Sequence, residues 1–243
     1  SKYDGAAMEI KRATVVANEK KPIARLIKKQ AEAMLEEKGI KVSSSSPNLV
    51  VTVGGDGTVL FSKNYYGVPF FAIGSNTSFI CQAKFSNWKE KLSKAISRPV
   101  LEKRLLLSCL VDGKRLPYVL NEVGIRNPQP RVLSIHLSAG KKDFAFRADG
   151  VLFSTPTGSP AYAYSCGGKQ MKKWERKYQV VAISSFRRIF KPMILDSSVR
   201  CKVRISGSDK AQIFLDGQSA GWFGQNNILS VSAAKKPFYF LRV

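Results

Sequence analysis

The sequence predicts an α/β domain followed by a β-rich domain, and three observations support this fold class. Short apolar runs such as Leu49–Val53 suit parallel strands that are buried on both faces. A stretch with helical spacing of its apolar residues precedes that run. Beyond residue 100, strand-like segments follow one another and are separated by turn residues. The chain has 243 residues, enough for one large domain or two modest ones, and we expect two.

In the first half, strands and helices alternate as they do in a doubly wound α/β unit. The predicted strands are residues 10–17, 49–53 and 69–73, and the shorter predicted helices are residues 58–63 and 86–96. A longer helix is expected to begin at Pro22 and to exit at Gly39. Its predicted apolar face consists of Ile23, Leu26, Ile27, Gln30, Ala31, Met34 and Leu35.

The second half is dominated by turn signals typical of an all-β region, for example Asp112-Gly113 and Ser206-Gly207. One predicted strand there shows a clear alternation. Leu133, Ile135 and Leu137 share one face, whereas His136, the single histidine, lies on the other face with serines. We therefore interpret His136 as a polar residue of a sheet surface and not as a catalytic residue.

The net charge is +23, from 40 basic and 17 acidic residues. This excess favours polyanionic partners such as nucleotides, polyphosphate or nucleic acid. The basic residues are scattered along the chain and form no basic tail. We therefore weigh solubility or adaptation to the host cell above nucleic-acid binding, which stays open as the less favoured alternative.

The cysteines and the single histidine restrict the chemistry. Cys81, Cys109, Cys166 and Cys201 form no C-x-x-C pair, so free thiols are expected in place of a disulfide framework or a zinc site. With a single histidine in the sequence, a Ser-His-Asp triad is not expected, and the general base is expected to be a carboxylate. No apolar run approaches the roughly 20 residues that cross a bilayer, and the N-terminus lacks a signal-peptide pattern. A cytoplasmic protein without a membrane partner is expected.

The strongest local motif is Gly54-Gly55-Asp56-Gly57-Thr58, directly after a predicted buried strand. Glycines allow the backbone to approach a ligand closely, and free N–H groups before a helix can hold phosphate oxygens. A carboxylate in such a loop can accept a proton from a hydroxyl or help to place Mg²⁺. The motif is also compatible with a tight strand-to-helix turn capped by the aspartate. No Gly-Lys-Ser/Thr follows, so the loop is not a P-loop.

Three further motifs lie in the second half. The stretch from Asp149 to Ser165 crowds small hydroxyl residues beside tyrosines, which suits reading and stacking of a purine base. Asn121-Glu122 lies within a strand-like stretch. Adjacent strand residues point to opposite faces, so the strand must be irregular or end there if both residues serve one ligand. Asp216-Gly217-Gln218 alone is typical of a hairpin turn.

Taken in this order, the motifs resemble those of the NAD kinase family. The family pattern is G-G-D-G-T, an Asn-Glu pair, D-G-x-x-x-S-T-P-T-G-S-x-A-Y and a late D-G. The resemblance runs from about residue 49 to residue 240, most of the chain. G-G-D-G-T is shared with lipid kinases and phosphofructokinases, whereas the long stretch from Asp149 to Tyr162 is much more specific.

The resemblance implies an N-terminal Rossmann-like α/β domain and a C-terminal β-sandwich domain, with the final strand returning to the first domain. The first domain would comprise residues 1–98 with 230–243, and the NAD-binding sandwich residues 99–229. It implies transfer of the γ-phosphoryl group of ATP, or of inorganic polyphosphate, to the adenosine 2′-hydroxyl of NAD. Mg²⁺ or another divalent cation, and a homodimer or homotetramer, are also implied.

The resemblance also assigns site residues. Asp56 corresponds to the general base on the 2′-hydroxyl. The implied phosphate loop is Gly54, Gly55, Gly57 and Thr58. The residues implied to bind NAD are Asp56, Gly57, Asn121, Glu122, Arg147, Asp149, Pro160, Ala161, Tyr162, Ser165 and Gln218. No metal ligand from the protein is assigned.

The sequence departs from the family pattern at several positions. Ser78 stands where a glycine is common, and Pro160 replaces the usual threonine before Ala-Tyr. Two alternatives stay open at this point. One is another G-G-D-G-T kinase, acting on a lipid or a sugar. The other is a binding protein for a dinucleotide or a nucleic acid, without catalysis.

Overall fold

The computed structural model describes residues 8–243. The chain divides into two compact units. The first ends at Lys103 and resumes at Phe238, and the second comprises Arg104–Pro237. Both divisions lie a few residues further along the chain than the sequence predicts. The first falls at the end of the strand at 101–104, which pairs in the sheet of the first unit, and the second follows the strand at 229–233, which pairs in a sheet of the second unit.

The first unit alternates strands and helices. Its elements are β1 (Arg12–Ala17), α1 (Pro22–Glu37), β2 (Lys41–Val42), β3 (Leu49–Val53), α2 (Asp56–Ser62), β4 (Phe70–Gly74), β5 (Ala83–Lys84), α3 (Trp88–Ser97) and β6 (Leu101–Arg104). The expected alternation of strands and helices is therefore observed in this part of the chain.

The second unit is almost entirely β-structure. Its elements are β7 (Leu107–Val111), β8 (Lys114–Arg115), β9 (Glu122–Arg126), β10 (Leu133–Ala139), β11 (Lys142–Ala148), β12 (Gly150–Ser154), α4 (Tyr162–Ser165), β13 (Lys177–Ile183), a 3₁₀ turn (Phe186–Arg188), β14 (Met193–Asp196), β15 (Arg200–Ser206), β16 (Ala211–Leu215), β17 (Gln218–Phe223) and β18 (Leu229–Ala233).

The last strand, β19 (Phe238–Leu241), lies in the sheet of the first unit. The main path of that sheet has the strand order β2-β1-β3-β4-β19-β6, and β5 also pairs with β4. β3 and β4 run parallel, with Val51 opposite Phe71 and Val53 opposite Ile73, and both strands are buried along their whole length. Parallel strands end at the same edge, so Gly54 and the segment after Gly74 lie at one carboxyl edge of the sheet.

Helix α1 packs a narrower face than the sequence predicts. Its buried residues are Ala24, Ile27, Ala31 and Leu35. Ile23 and Leu26 are 44% and 52% exposed, and Gln30 is exposed too, so these three members of the predicted apolar face are wrong. The buried four follow the i, i+3, i+4 spacing, whereas Ile23 and Leu26 lie on the flank of that stripe.

Two six-stranded antiparallel sheets form the second unit. Their orders are β11-β10-β15-β18-β7-β8 and β14-β13-β12-β9-β16-β17. Side chains from both sheets, among them Ile135, Val203, Val123 and Phe153, belong to one buried apolar cluster, as in a β-sandwich. None of the helices described between residues 8 and 243 is long and apolar enough to cross a membrane.

Candidate active site

The glycine loop follows buried strand β3 and leads directly into α2. Gly54 and Gly55 have φ values of 149° and 120°, which L side chains rarely adopt. A Cβ at Gly54 would also lie 2.5 Å from Thr58 Oγ1 and 2.6 Å from Asn18 Cβ. Only glycine tolerates both the positive φ and the close contact at position 54. The two glycines therefore allow the sharp turn after which α2 starts at Asp56.

The Asp56 carboxylate is fixed by backbone donors from the segment after β4. The N–H of Phe79 donates to Oδ2 at 2.8 Å, and the N–H of Ile80 donates to Oδ1 at 3.0 Å. The thiol of Cys81 lies 3.5 Å from Oδ1. Asp56 is half-buried, so its carboxylate is held in one orientation and keeps part of its surface accessible.

The segment that departs from the family pattern, residues 74–81, folds back on the end of β4. A Cβ at Gly74 would lie 2.4 Å from Ser78 Oγ and 2.7 Å from Cys81 Sγ. Burial, and next the charge of Asp56, raise the pKa of the Cys81 thiol to about 12. The thiol therefore stays protonated at neutral pH and donates to the carboxylate.

A lysine that the sequence reasoning did not single out reaches the glycine loop. Lys21 precedes α1, and its Nζ donates to the Gly54 carbonyl oxygen at 2.9 Å. Its ammonium group thus lies against the predicted phosphate loop, where it can attract phosphate oxygens. The loop signal itself was predictable, but this long-range contact was not.

In the second unit, one buried aspartate organises the start of β9. Asp216 Oδ1 accepts from the N–H of Asn121 at 2.7 Å and of Glu122 at 3.3 Å, and Oδ2 accepts from the N–H of Leu120 at 3.1 Å. Asp216 is 8% exposed and has a left-handed φ of 49°. The hairpin motif therefore serves the Asn-Glu pair, a role missed by the sequence analysis. Its one signal was the Asp-Gly dipeptide, which permits that φ.

The hydroxyl-rich stretch packs against the same pair. The N–H of Thr155 donates to the Asn121 carbonyl oxygen at 2.9 Å, and the Thr155 hydroxyl donates to the Leu120 carbonyl oxygen. A Cβ at Gly158 would lie 2.4 Å from that Asn121 oxygen, so only glycine allows this approach. Two motifs distant in sequence are thereby joined in one site.

Two polar atoms of this site are buried without a hydrogen-bond partner: Asn121 Oδ1 and Glu122 Oε2. The residues are 7% and 5% exposed. Burial, followed by the charge of Asp216, raises the pKa of the Glu122 carboxyl to about 8. Buried polar atoms are normally paired, so these two atoms point to a ligand that supplies the missing hydrogen bonds. Strand β9 begins at Glu122, so Asn121 lies outside the regular strand. The side chains of these two adjacent residues therefore need not point to opposite faces, and both can serve one ligand.

The residues of the predicted adenine pocket lie in the short helix α4 and immediately before it. The Tyr162 ring lies 6.0 Å from the Phe214 ring. Pro160 and Ala161 are half-buried, and Ser165 is exposed. Cys166 follows the helix, and burial together with the Glu122 charge raises its pKa, which places the thiol within the influence of that carboxyl.

Arg147 and Asp149 lie away from the Asn-Glu pair within this unit. β12 and β9 are antiparallel, with Ser154 opposite Glu122 and Gly150 opposite Arg126, so Asp149 lies beyond the far end of β12. Four residues of strand correspond to about 13 Å. Arg147 stacks its guanidinium group 5.3 Å from the Phe186 ring. By contrast, Gln218 is exposed in β17 and pairs with Leu215, next to Asp216.

The residues available for a metal ion are few. No group of three or more His, Cys, Asp or Glu side chains suited to a metal occurs among residues 8–243. Asp56 is the carboxylate on the glycine loop. Mg²⁺ is often bound by one or two carboxylates together with substrate phosphates and water, and a single loop carboxylate fits that mode.

A glycine loop with a fixed carboxylate in the first unit, and two buried oxygens without partners in the second, are consistent with an enzyme that transfers phosphoryl groups to or from nucleotides. Comparison with known proteins refines this class. Residues 120–243 match the family model of the ATP-NAD kinase C-terminal domain. An NAD kinase of Treponema denticola is 32% identical over 86% of this chain and 83% of its own length. An NAD kinase of Methanospirillum hungatei is 28% identical over 80% and 74%.

Solved structures agree on the fold. The yeast NADH kinase complexed with NADH has a TM-score of 0.87 at 18% identity, covering 97% of this chain and 84% of that one. An NAD kinase from Archaeoglobus fulgidus in complex with ATP has a TM-score of 0.81 at 23% identity, covering 95% and 93%. The chain therefore belongs to the NAD kinase family. The predicted family and the predicted class of enzyme, a phosphotransferase, are confirmed.

Proposed function

We propose that the protein transfers the γ-phosphoryl group of ATP to the adenosine 2′-hydroxyl of NAD and so produces NADP. The observation that carries this proposal, beside membership of the family, is the Asp56 carboxylate. It stands on a glycine loop at the carboxyl edge of a buried parallel sheet, where ligands of α/β proteins bind. The donor, the metal and the individual residue roles form part of the proposal.

Asp56 acts as the general base that takes the proton from the 2′-hydroxyl as the hydroxyl oxygen attacks the γ-phosphorus. A secondary hydroxyl is a poor nucleophile, and a positioned base contributes about 10²–10⁴-fold to the rate. The N–H groups of Phe79 and Ile80 keep the carboxylate in one orientation. The loop N–H groups, with Lys21 beside them, gather the phosphates of the donor.

The NAD side of the reaction uses the second unit. Asn121 and Glu122 supply their unpaired buried oxygens to the ribose and adenine, and Tyr162 stacks on the base. With a pKa raised to about 8, the Glu122 carboxyl is largely protonated at neutral pH and can also donate a hydrogen bond. Pro160, Ala161, Ser165 and Gln218 complete the adenine side, and Arg147 and Asp149 contact the nicotinamide end.

A magnesium ion in this site would be held by the donor phosphates and water, with Asp56 as the loop carboxylate within reach. When bound, such an ion neutralises charge on the transferring phosphoryl group. The protein's own share is to orient the hydroxyl, to accept its proton at Asp56 and to hold the dinucleotide.

The test is an incubation of the purified protein with NAD, ATP and Mg²⁺, in which NADP is detected with an NADP-specific dehydrogenase. A parallel reaction replaces ATP with inorganic polyphosphate. NADP formed with ATP supports the proposal, and NADP formed only with polyphosphate corrects the donor. If neither donor yields NADP while NAD still binds, the transfer reaction is excluded and a dinucleotide-binding function remains.

The homodimer or homotetramer implied by the family resemblance, and the cytoplasmic location expected from the sequence, stay predictions. Sedimentation equilibrium of the purified chain measures the first directly. A mass equal to that of the monomer across the concentration range would contradict the expected assembly.

A further inference from the structure

The outward face of the first sandwich sheet gathers basic residues that are separated in sequence. β15 alternates strictly, with Cys201, Val203 and Ile205 buried in the core. The opposite positions, Arg200, Lys202 and Arg204, are exposed. Alternate strand residues are about 6.8 Å apart, so the three cations form a straight row.

Neighbouring strands flank this row with serine hydroxyl groups and the imidazole of His136. On β10, His136 lies opposite Arg204 and Ser138 opposite Lys202. On β18, Ser232 lies opposite Arg200 and Ser230 opposite Lys202. Arginine, lysine and serine are among the side chains that bind phosphate oxygens of a nucleic-acid backbone.

A further cation lies toward one edge of the sheet. The Arg115 guanidinium of β8 donates to Ser108 Oγ at 2.6 Å. Among the outward positions of these six strands, all within the described residues, the carboxylate is Asp143, which accepts a hydrogen bond from Ser138 at 2.6 Å. The face therefore has a clear positive excess. We call it the basic sheet face; its cations are Arg115, Arg200, Lys202 and Arg204.

We propose that the basic sheet face binds the phosphate backbone of double-stranded nucleic acid, without reading its sequence. The proposal rests on charge complementarity and is independent of the kinase reaction. Duplex DNA carries about one negative charge per 1.7 Å, and neutralising its phosphates releases counterions, which drives sequence-independent binding. Cations that are separated in the sequence lie close together on this surface, because alternate residues of a strand point to the same face of the sheet.

The shape of the face favours a duplex over a single strand. Among the described residues, the outward positions of its strands carry the imidazole of His136 but no Phe, Tyr or Trp ring on which unpaired bases could stack. No helix stands on these outward positions to enter a groove, so base reading is not expected. Strands β10, β11 and β15 have 7 residues each. With six strands side by side, the face measures roughly 24 by 24 Å, close to the lower limit of single DNA-binding modules.

The experiment measures fluorescence anisotropy of a labelled duplex of about 20 base pairs, titrated with the full chain between about 50 and 200 mM salt. The test variant is Arg200→Gln/Lys202→Gln/Arg204→Gln. The matched control, Arg176→Gln/Lys177→Gln/Lys191→Gln, removes the same charge from exposed residues outside the basic sheet face. Unchanged thermal unfolding and unchanged NADP formation from NAD verify that both variants are folded.

We expect the test variant to lose at least about tenfold in affinity at 100 mM salt, with the slope of log K against log salt reduced by about two to three. The control should retain the wild-type slope within about one. Equal losses in both variants would assign binding to net charge and overturn the proposal. So would absence of duplex binding at the lowest salt, or tighter binding of single-stranded DNA or of inorganic polyphosphate with the same dependence on the row.

Discussion

Two aspartates, one in each unit, use the same device and differ in exposure. Asp56 accepts backbone N–H groups from Phe79 and Ile80, and Asp216 accepts them from Leu120, Asn121 and Glu122. In both places a carboxylate satisfies the donors of a turn that regular secondary structure leaves unpaired. Asp56 is half-buried, whereas Asp216 is 8% exposed.

This difference in exposure separates a chemical role from a structural one. A fixed carboxylate that keeps accessible surface can accept a proton from a substrate hydroxyl. A fixed carboxylate that is fully enclosed can act on a substrate only through the groups it orients. The two aspartates should therefore respond differently to mutation. Replacing Asp56 should lower the reaction rate, and replacing Asp216 should lower the stability of the fold.

The largest expected effect is on the rate of Asp56→Asn. The amide retains one acceptor for the loop N–H groups but cannot take the proton, so kcat for NADP formation should fall by about 10²–10⁴-fold. The measurement is steady-state kinetics with ATP and Mg²⁺, accompanied by NAD binding and thermal unfolding. A variant that binds NAD and turns over at the wild-type rate would show that Asp56 is not the base.

Asp216→Ala should instead act on stability. It leaves three buried N–H groups without an acceptor, and we expect a loss of about 3–5 kcal/mol in the free energy of unfolding. Asp216→Asn keeps an acceptor and tolerates the left-handed φ, so it should lose less. Denaturant titration gives both values.

Asp112→Ala is the matched control for that comparison. Asp112 also precedes a glycine, has a φ of 50° and accepts the N–H of Ile228 at 2.8 Å, but in an exposed turn. Water can replace its carboxylate, so its loss should be much smaller. Equal losses in the free energy of unfolding for Asp112→Ala and Asp216→Ala would contradict the idea that burial determines the cost of removing the carboxylate.

Local patterns in the sequence identified the parts of the site that carry a side-chain signature. The apolar run before Gly54 predicted a buried strand. The adjacency of Asn121 and Glu122 predicted that the strand would be irregular or end there if both serve one ligand, and β9 begins at Glu122. The partners of both aspartates were not predictable, because every residue carries an N–H group. The contact of Asp216 with Asn121 also joins positions 95 residues apart. The register of β10, β15 and β18, which sets the neighbours of the basic row, was not predictable either, because it also depends on pairing between residues distant in sequence.

Glu122→Gln sharpens the description of the buried site through its pH dependence. Folding raises the pKa of the Glu122 carboxyl from 4.5 to about 8, so the folded state binds its proton more tightly. Its contribution to stability is full below the unfolded value and is lost as pH rises from about 4.5 to 8. The glutamine carries no charge, so relative to wild type it should gain stability between about pH 5 and pH 9. Because one pKa unit corresponds to about 1.4 kcal/mol, the gain should be a few kcal/mol.

The measurement for Glu122 is denaturant unfolding at both pH values, with the exposed Glu36→Gln of α1 as the control. An identical difference between Glu122→Gln and wild type at the two pH values would contradict a raised pKa. Asp216→Asn offers an independent test, because removing the neighbouring charge should weaken the pH dependence caused by Glu122.

The smallest effect is expected at Cys81, the third donor to Asp56. Its thiol is a weak donor at 3.5 Å, and its raised pKa keeps it protonated near neutral pH. Cys81→Ala leaves the two N–H bonds in place, so kcat should change by less than about threefold and stability by less than about 1 kcal/mol. Cys81→Ser, which restores a donor, is the matched variant. If Cys81→Ala lost as much activity as Asp56→Asn while Cys81→Ser recovered it, the thiol rather than the backbone would orient the base.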